Sequence, residues 1–430
     1  MSGSKKKVLV MGGGIAGLSS ALELSKTGYI DVEILEKSSF LGGHAIQFAC
    51  KATDRCVNCG ACKVEENLKQ TVENPNIHIY RQSRIRKITK SEKFSLSITV
   101  KPEYIDSKMC TGCGVCLDTC PSEGSVIRGF SKNNIPLYTI CEDRCLYFKD
   151  KACAKCQELC PEGAINLDSS ESCHTSEVDA IIAATGFQPY NPVSKPYGYG
   201  LFDDVITNLE LERILRKNNT AARPSDGKAP RNIAFIQCVG SRDAGLNHSW
   251  CSKVCCASAL RMANLIKIRQ PDTEITFFYI DVQTFGKNFQ VFYDEIQKNI
   301  RQIRTIPADI YPTKDGRLQL TYFDSAESQS VDENFDLVVL SIGLIPGQDN
   351  PDLAGLFNLE IFETGFLSSA AKGTPGVCDG IFTAGTVQGP MSIPETIANA
   401  TGVSWKVIRY LSERESKGSI LDESNINNRQ

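Results

Sequence analysis

Histidine, tryptophan and long apolar runs are scarce in this 430-residue chain, which holds four His and two Trp. No stretch approaches the roughly 18 apolar residues needed to span a bilayer, so no membrane span is expected. His44, His78, His174 and His248 lack a second ligand at zinc-motif spacing. No Ser-His-Asp arrangement can be argued from spacing either, which leaves His44, beside a glycine turn, as the histidine to watch. A formal net charge of -3 offers no footprint for nucleic acid or an anionic membrane. The N-terminus MSGSKKKVLVMGGG runs directly into an expected strand, and its apolar part is too short for a signal peptide. With 41% hydrophobic and 23% charged residues the chain reads as globular, and many cysteines without a secretion signal point to a reducing cytoplasm.

Cysteine is abundant instead: there are nineteen, and sixteen fall into four groups. In a reducing compartment such numbers point to metal ligation rather than disulfides. Cys110, Cys113, Cys116 and Cys120, followed by Pro121, form the C-x2-C-x2-C-x3-C-P run of bacterial ferredoxins. In such runs the fourth thiolate serves the other cluster, so a second half should follow. Cys145, Cys153, Cys156 and Cys160, followed by Pro161, supply it, with the first ligand displaced upstream. The cross-over rule then assigns Cys110, Cys113, Cys116 and Cys160 to one [4Fe–4S] cluster, and Cys120, Cys145, Cys153 and Cys156 to the other. Cys141 is the competing candidate for the displaced ligand. Cys50, Cys56, Cys59 and Cys62 form a third group, open to iron–sulfur or zinc. Cys238, Cys251, Cys255 and Cys256, spaced C-x12-C-x3-C-C, form the fourth. Cys173 and Cys378 stand outside all groups and read as packing residues.

Lys7–Met11 reads as a buried strand, and Gly12, Gly14, Ile15, Ala16 and Gly17 turn from it into a helix over 18–27. This is the dinucleotide fingerprint in its strand–turn–helix setting, with pyrophosphate expected at the helix N-terminus. A second strand ends at Glu36, placed to bind a ribose hydroxyl, with Lys37 beside it. Gly42 and Gly43 read as the second glycine turn of a two-domain flavoprotein, which favours FAD over NAD. Residues 75–100 look hairpin-like. A buried strand from Val178 ends at Thr185 and Gly186, closing the first flavin segment. A final segment with Gly385 and Gln388 completes it, before a helix over 393–412.

Residues 231–346 repeat the α/β pattern, so two Rossmann-like dinucleotide-binding domains with an inserted α+β two-cluster ferredoxin domain are expected. The second unit has no GxGxxG: Cys238 follows its first strand directly, and the other three cysteines of the fourth group come next. That replacement implies that NAD(P)H has lost its site. The expected domains are 1–102, the first FAD segment with an iron–sulfur site; 103–172, the ferredoxin insert; 173–228, a return strand and linker; 229–345, the second Rossmann-like domain; 346–412, the last FAD segment; and 413–430, a polar tail.

Gly12–Gly17, Cys110–Cys116, Ile236–Asp243, Cys251–Cys256 and Ala384–Pro390 together resemble the A-type component of heterodisulfide reductases and its shorter bacterial relatives. The resemblance spans nearly the whole chain. It implies a thioredoxin-reductase-like body, one FAD, an inserted ferredoxin domain and a cluster on Cys238, Cys251, Cys255 and Cys256 near the flavin; with one [4Fe–4S] cluster for each cysteine group, four clusters in all are expected. It implies other subunits, a ferredoxin or similar carrier, and homodimerisation within a complex as partners. It also raises flavin-based electron bifurcation and service to a benzoyl-CoA reductase-type or sulfur-metabolism complex. The additional C-terminal ferredoxin domain of the methanogen proteins is not in this sequence. Arg261 stands where the family often has Lys, making it a candidate flavin contact. The competing reading is a stand-alone NAD(P)H-dependent flavin and iron–sulfur oxidoreductase similar to the small subunit of glutamate synthase.

Overall fold

The computed structural model describes residues 5–133, 137–283, 286, 288–371 and 379–427, of which 369–371 and 416–427 are described as backbone only. Cys378 lies outside the described residues.

The run Val8-Leu9-Val10 has no polar residue to turn toward water, and its chain is fully buried at the centre of a sheet. Five parallel strands lie in the order Ile381–Thr383, Ala180–Ala183, Lys6–Met11, Ile30–Leu35, Ile77–Tyr80. The helices Ile15–Ser25 and Ile393–Asn427 pack on one face, burying Leu18, Ala21, Ala400 and Val407. On the other face Leu9 and Ile181 meet a three-stranded antiparallel sheet, Ser83–Lys90, Phe94–Val100 and Ser172–Val178. The hairpin expected across 75–100 is therefore only its second half. Ile77–Tyr80 pairs in parallel with Ile30–Leu35, because the short loop at 81–82 moves the chain from one sheet to the other.

The same plan recurs. Val205–Thr207, Leu337–Ile342, Asn232–Val239, Glu274–Phe278 and Arg301–Ile303 form a second parallel sheet, with a meander of Asp309–Pro312, Leu318–Asp324 and Gln329–Phe335. Residues 190–228 were expected to be linker but contribute an edge strand to this sheet and the helix Asn208–Asn218. Thr207 and Glu210 close a capping box at the helix start, and Leu211 and Leu215 enter the second core. The two halves are joined by antiparallel pairing of Phe187–Pro189 with Leu344–Pro346. The last helix continues beyond the expected end at 412 to Asn427.

Between Val100 and Ser172 lies the cysteine-rich insert. The C-x2-C-x2-C turn of 110–116 leads into the one-turn helix Val115–Asp118 and the C-x2-C turn of 153–156 into Lys155–Glu158, while the strands Val126–Arg128 and Tyr138–Ile140 pair between them. Among the described residues no helix is long and apolar enough to cross a membrane.

Candidate cofactor sites

Strand order reverses in the first sheet between Lys6–Met11 and Ala180–Ala183, and a dinucleotide binds in the crevice outside the strand ends at such a point. Gly12 and Thr185 emerge there. Gly12 has φ +105°, and a Cβ on it would strike the carbonyl of Ala184. A Cβ on Gly17 would strike the carbonyl of Gly12, so the helix can close on the strand only with glycine at both positions. Above Gly14 a Cβ would meet nothing nearer than the Gly43 Cα at 3.9 Å, which leaves that side open to a ligand. Helix Ile15–Ser25 begins there with no side-chain cap, so its first N–H groups can receive an anion.

The Glu36 carboxylate is buried beside the turn, accepting from Gly13 N at 2.7 Å and Ser38 N at 2.7 Å. These bonds fix its position while lone pairs remain for a hydroxyl. Gly42 donates to the Gly13 carbonyl at 2.7 Å and pairs with Gly14, bringing the second glycine turn against the first. Thr185 Oγ1 is buried without a hydrogen-bond partner, and a cofactor hydroxyl or phosphate would satisfy it. Gly385 faces the helix start: a Cβ there would lie 2.5 Å from Ala16 Cβ, and its N–H is held by Asn399 Oδ1 at 2.7 Å. The donor set and glycine cradle therefore fit a dinucleotide such as FAD. Two expected contacts turn elsewhere. Lys37 pairs with Asp349 at 2.7 Å on the surface, and Gln388 folds back onto Thr383. His44 packs on Phe187 at 4.9 Å between ring centroids, and burial lowers its pKa.

The insert contains two cavities. One is lined by Cys110, Cys113, Cys116 and Cys160, the other by Cys120, Cys145, Cys153 and Cys156. Left-handed Gly112 and Gly114 let the first loop curl round its cavity. Burial pushes the Cys116 and Cys156 thiols up to about 11, with neighbouring cysteines adding to the shift. Metal ligation would require both to give up their protons. The Cys141 backbone N–H donates to the Ser125 carbonyl at 2.7 Å, and its side chain does not line the second cavity.

In the second sheet, order reverses between Asn232–Val239 and Leu337–Ile342. Register slips between Ile236 and Val239, and Cys238 takes φ +61°, which is strained for a non-glycine residue. The bulge brings Cys238 near Cys251, Cys255 and Cys256, the last two opening helix Cys255–Arg269. Burial raises the Cys238 thiol to about 12, Cys256 adding to it, and lifts Cys255 well above its ordinary value. Arg242, on the turn after the strand, makes a two-pronged contact with Asp281 at 2.5 and 3.0 Å. On the turn after this strand the Tyr190 ring packs against Gly240, so that a Cβ there would run into it. Trp250 donates to the Leu344 carbonyl at 3.0 Å and packs edge-on against Phe366.

Exposed Cys50 and Cys56 and half-buried Cys59 lie on the loop before helix Ala61–Val72, and exposed Cys62 is in its first turn. That loop docks on the second half of the molecule. Lys51 and Glu212 form a buried ion pair, Arg216 donates to the carbonyls of Ile46 and Phe48, and Arg261 Nε donates to the Val57 carbonyl at 3.0 Å. Arg261, a candidate flavin contact from sequence, is thus turned to the third cysteine group. Among the described residues no three His, Cys, Asp or Glu side chains converge on a single-ion site. The docking residues Glu212 and Arg216 were missed from sequence, since polar positions on an amphipathic helix look solvated. Tyr190 was missed because nothing after Pro189 marks it.

Residues 10–61 match the family model described as an NAD(P)-binding Rossmann-like domain. The chain is 35% identical over 423 residues to the iron-sulfur A component of the CoB–CoM heterodisulfide reductase of Methanocaldococcus jannaschii, covering 93% of this chain and 63% of that protein. It is 34% identical over 422 residues to the A component of the H(2):CoB-CoM heterodisulfide,ferredoxin reductase of Methanothermobacter thermautotrophicus, with the same coverage. The chain thus spans less than two thirds of these relatives' length. In fold it is similar to thioredoxin reductase of T. acidophilum, at 14% identity and TM-score 0.51, covering 96% of this chain and 99% of that one. The Lactococcus lactis thioredoxin reductase gives 12% and 0.52, covering 95% and 100%.

Proposed function

The chain is homologous to the A components of heterodisulfide reductases over nearly its whole length, and from that premise we propose that it is a flavin and iron–sulfur electron-transfer subunit. FAD is held by the Gly12–Gly17 turn, Glu36, Gly42, Gly43, Thr185, Gly186 and Gly385. The two cavities of the insert take one [4Fe–4S] cluster each, on the cysteines that line them, with Cys145 rather than Cys141 as the displaced ligand. The Cys238 and Cys50 groups take one cluster each, four in all. Bound FAD supplies exchange between paired and single electrons, and the clusters pass single electrons. The chain's own residues fix the separations, exclude water and set the charge round each site.

One observation supports the reading: at the second switch point, where a pyridine nucleotide would sit, the strand is followed by Cys238 on a bulge near Cys251, Cys255 and Cys256 in place of a glycine-rich loop, and the Tyr190 ring packs against Gly240. Electrons therefore enter and leave through protein partners, including other subunits and a ferredoxin-type carrier. The test is anaerobic mixing of the holoprotein with NADH or NADPH. The flavin absorbance stays unchanged with either nucleotide and bleaches with a one-electron donor such as reduced methyl viologen. Rapid bleaching by a nucleotide would instead support the stand-alone NAD(P)H enzyme. Flavin-based bifurcation and a place in a benzoyl-CoA reductase-type or sulfur-metabolism complex are finer branches of the proposal. Identifying the subunits that co-purify anaerobically, and the copy number of this chain among them, separates these branches.

A further inference from the structure

Arg261 lies on helix Cys255–Arg269, five residues past Cys256, and its side chain reaches from the second half of the molecule to the loop that carries Cys56 and Cys59. Its Nε donates to the carbonyl of Val57, the residue between Cys56 and the Asn58–Cys59 turn, at 3.0 Å. The guanidinium is backed by the rings of Phe289 and Phe292, at 5.3 and 5.9 Å from the ring centroids. Phe289 is itself only 1% exposed, so the stack rests on a fixed wall. Burial lowers the guanidinium's pKa, and the nearby Cys59 and Cys56 thiols act in the opposite direction.

A partly desolvated cation is costly unless something negative offsets it. In this position a thiolate-bound cluster would supply the offset, since it would carry negative charge and gain one more on reduction. Guanidinium is also the side chain best suited to the task, since its charge is permanent and its face stacks on aromatic rings. Phe289 and Phe292 aim the charge, while the bond to Val57 ties it to the loop.

We propose that Arg261 tunes and positions the cluster of the Cys50, Cys56, Cys59 and Cys62 group from across the molecule, raising its reduction potential by facing it with a half-buried positive charge. The proposal rests on the reading that this group binds a cluster. Since the same helix begins with Cys255 and Cys256, its first two turns connect the third and fourth cysteine groups within roughly 8 Å of helix rise. Movement of that helix would then be felt at both.

The test uses the full-length holoprotein purified anaerobically, with reduction followed by electron paramagnetic resonance at set potentials. Cys59→Ser first identifies which signal belongs to the group. If it removes no signal, the cluster reading of this group fails, and the proposal with it. With the signal identified, Arg261→Gln lowers its reduction equilibrium constant at least tenfold, about 59 mV for a one-electron couple, and leaves the other signals in place. Arg261→Lys keeps the charge and stays within tenfold of the parent. A glutamine variant with the parent midpoint overturns the proposal while leaving the cluster reading intact. Should Arg261→Gln lose the signal altogether, retention in Arg261→Lys supports the role of the charge. Loss in both overturns it.

Discussion

Replacing Lys51 by Met tests how the third cysteine loop is held. Lys51 and Glu212 are 2% and 1% exposed. The ammonium lies 2.5 and 2.7 Å from the two carboxylate oxygens and donates to the Ala49 carbonyl at 3.0 Å, while Glu212 accepts from Ala49 N at 2.9 Å. Lys51→Met leaves the carboxylate buried with too few donors, and breaking a buried pair in this way costs about 3–5 kcal/mol. Glu212→Gln strands the ammonium and costs a similar amount. The double variant Lys51→Met/Glu212→Gln has no buried charge, and its amide oxygen still receives the Ala49 N–H, so most of the loss returns. Anaerobic thermal melts followed by circular dichroism read the difference as a drop in Tm on the order of 10 °C for each single variant. Limited proteolysis gives a local readout, with cleavage in 50–60 faster in the single variants and near the parent rate in the double. Single variants that melt with the parent, or a double variant as unstable as the sum of both, would refute the coupling.

Gly17→Ala places a methyl group against the Gly12 carbonyl, so flavin per chain falls at least tenfold by absorbance. Cys145→Ser removes the four irons of one cubane by colorimetric assay, whereas Cys141→Ser keeps the parent iron content. Burial holds the His44 pKa below 6.5, so between that lowered value and 6.5 the unfolded chain binds more protons and stability rises with pH. The stability is full above 6.5 and is lost as pH falls below it. The slope of Tm between about pH 5 and pH 7 is shallower in His44→Gln than in the parent.

Much of the site was legible because its chemistry is local. Gly12–Gly17 and the cysteine runs at 110–120 and 153–160 carry their geometry in their spacing, and cavities formed by the expected sets lie in the insert. Strand duplication could be read from the two apolar segments that end at Thr185-Gly186 and Ile342-Gly343, because buried parallel strands leave few alternatives. What escaped depends on contacts distant in sequence. The strand Val205–Thr207 is three residues long and hidden among Pro, Gly and polar residues, so no period marks it. Lys51 finds Glu212 across 161 positions, and Arg261 finds Val57 across 204. Lys37 has the right place in sequence for a cofactor contact, yet an exposed lysine takes whichever carboxylate is near, here Asp349.

On the proposed function, the four cysteine groups and the glycine cradle hold four cubanes and one flavin. Iron, acid-labile sulfide, zinc and flavin measured together on anaerobically purified protein test it most directly. About sixteen irons and sixteen sulfides with one FAD per chain are expected. Zinc in place of iron, or iron without flavin, would contradict it.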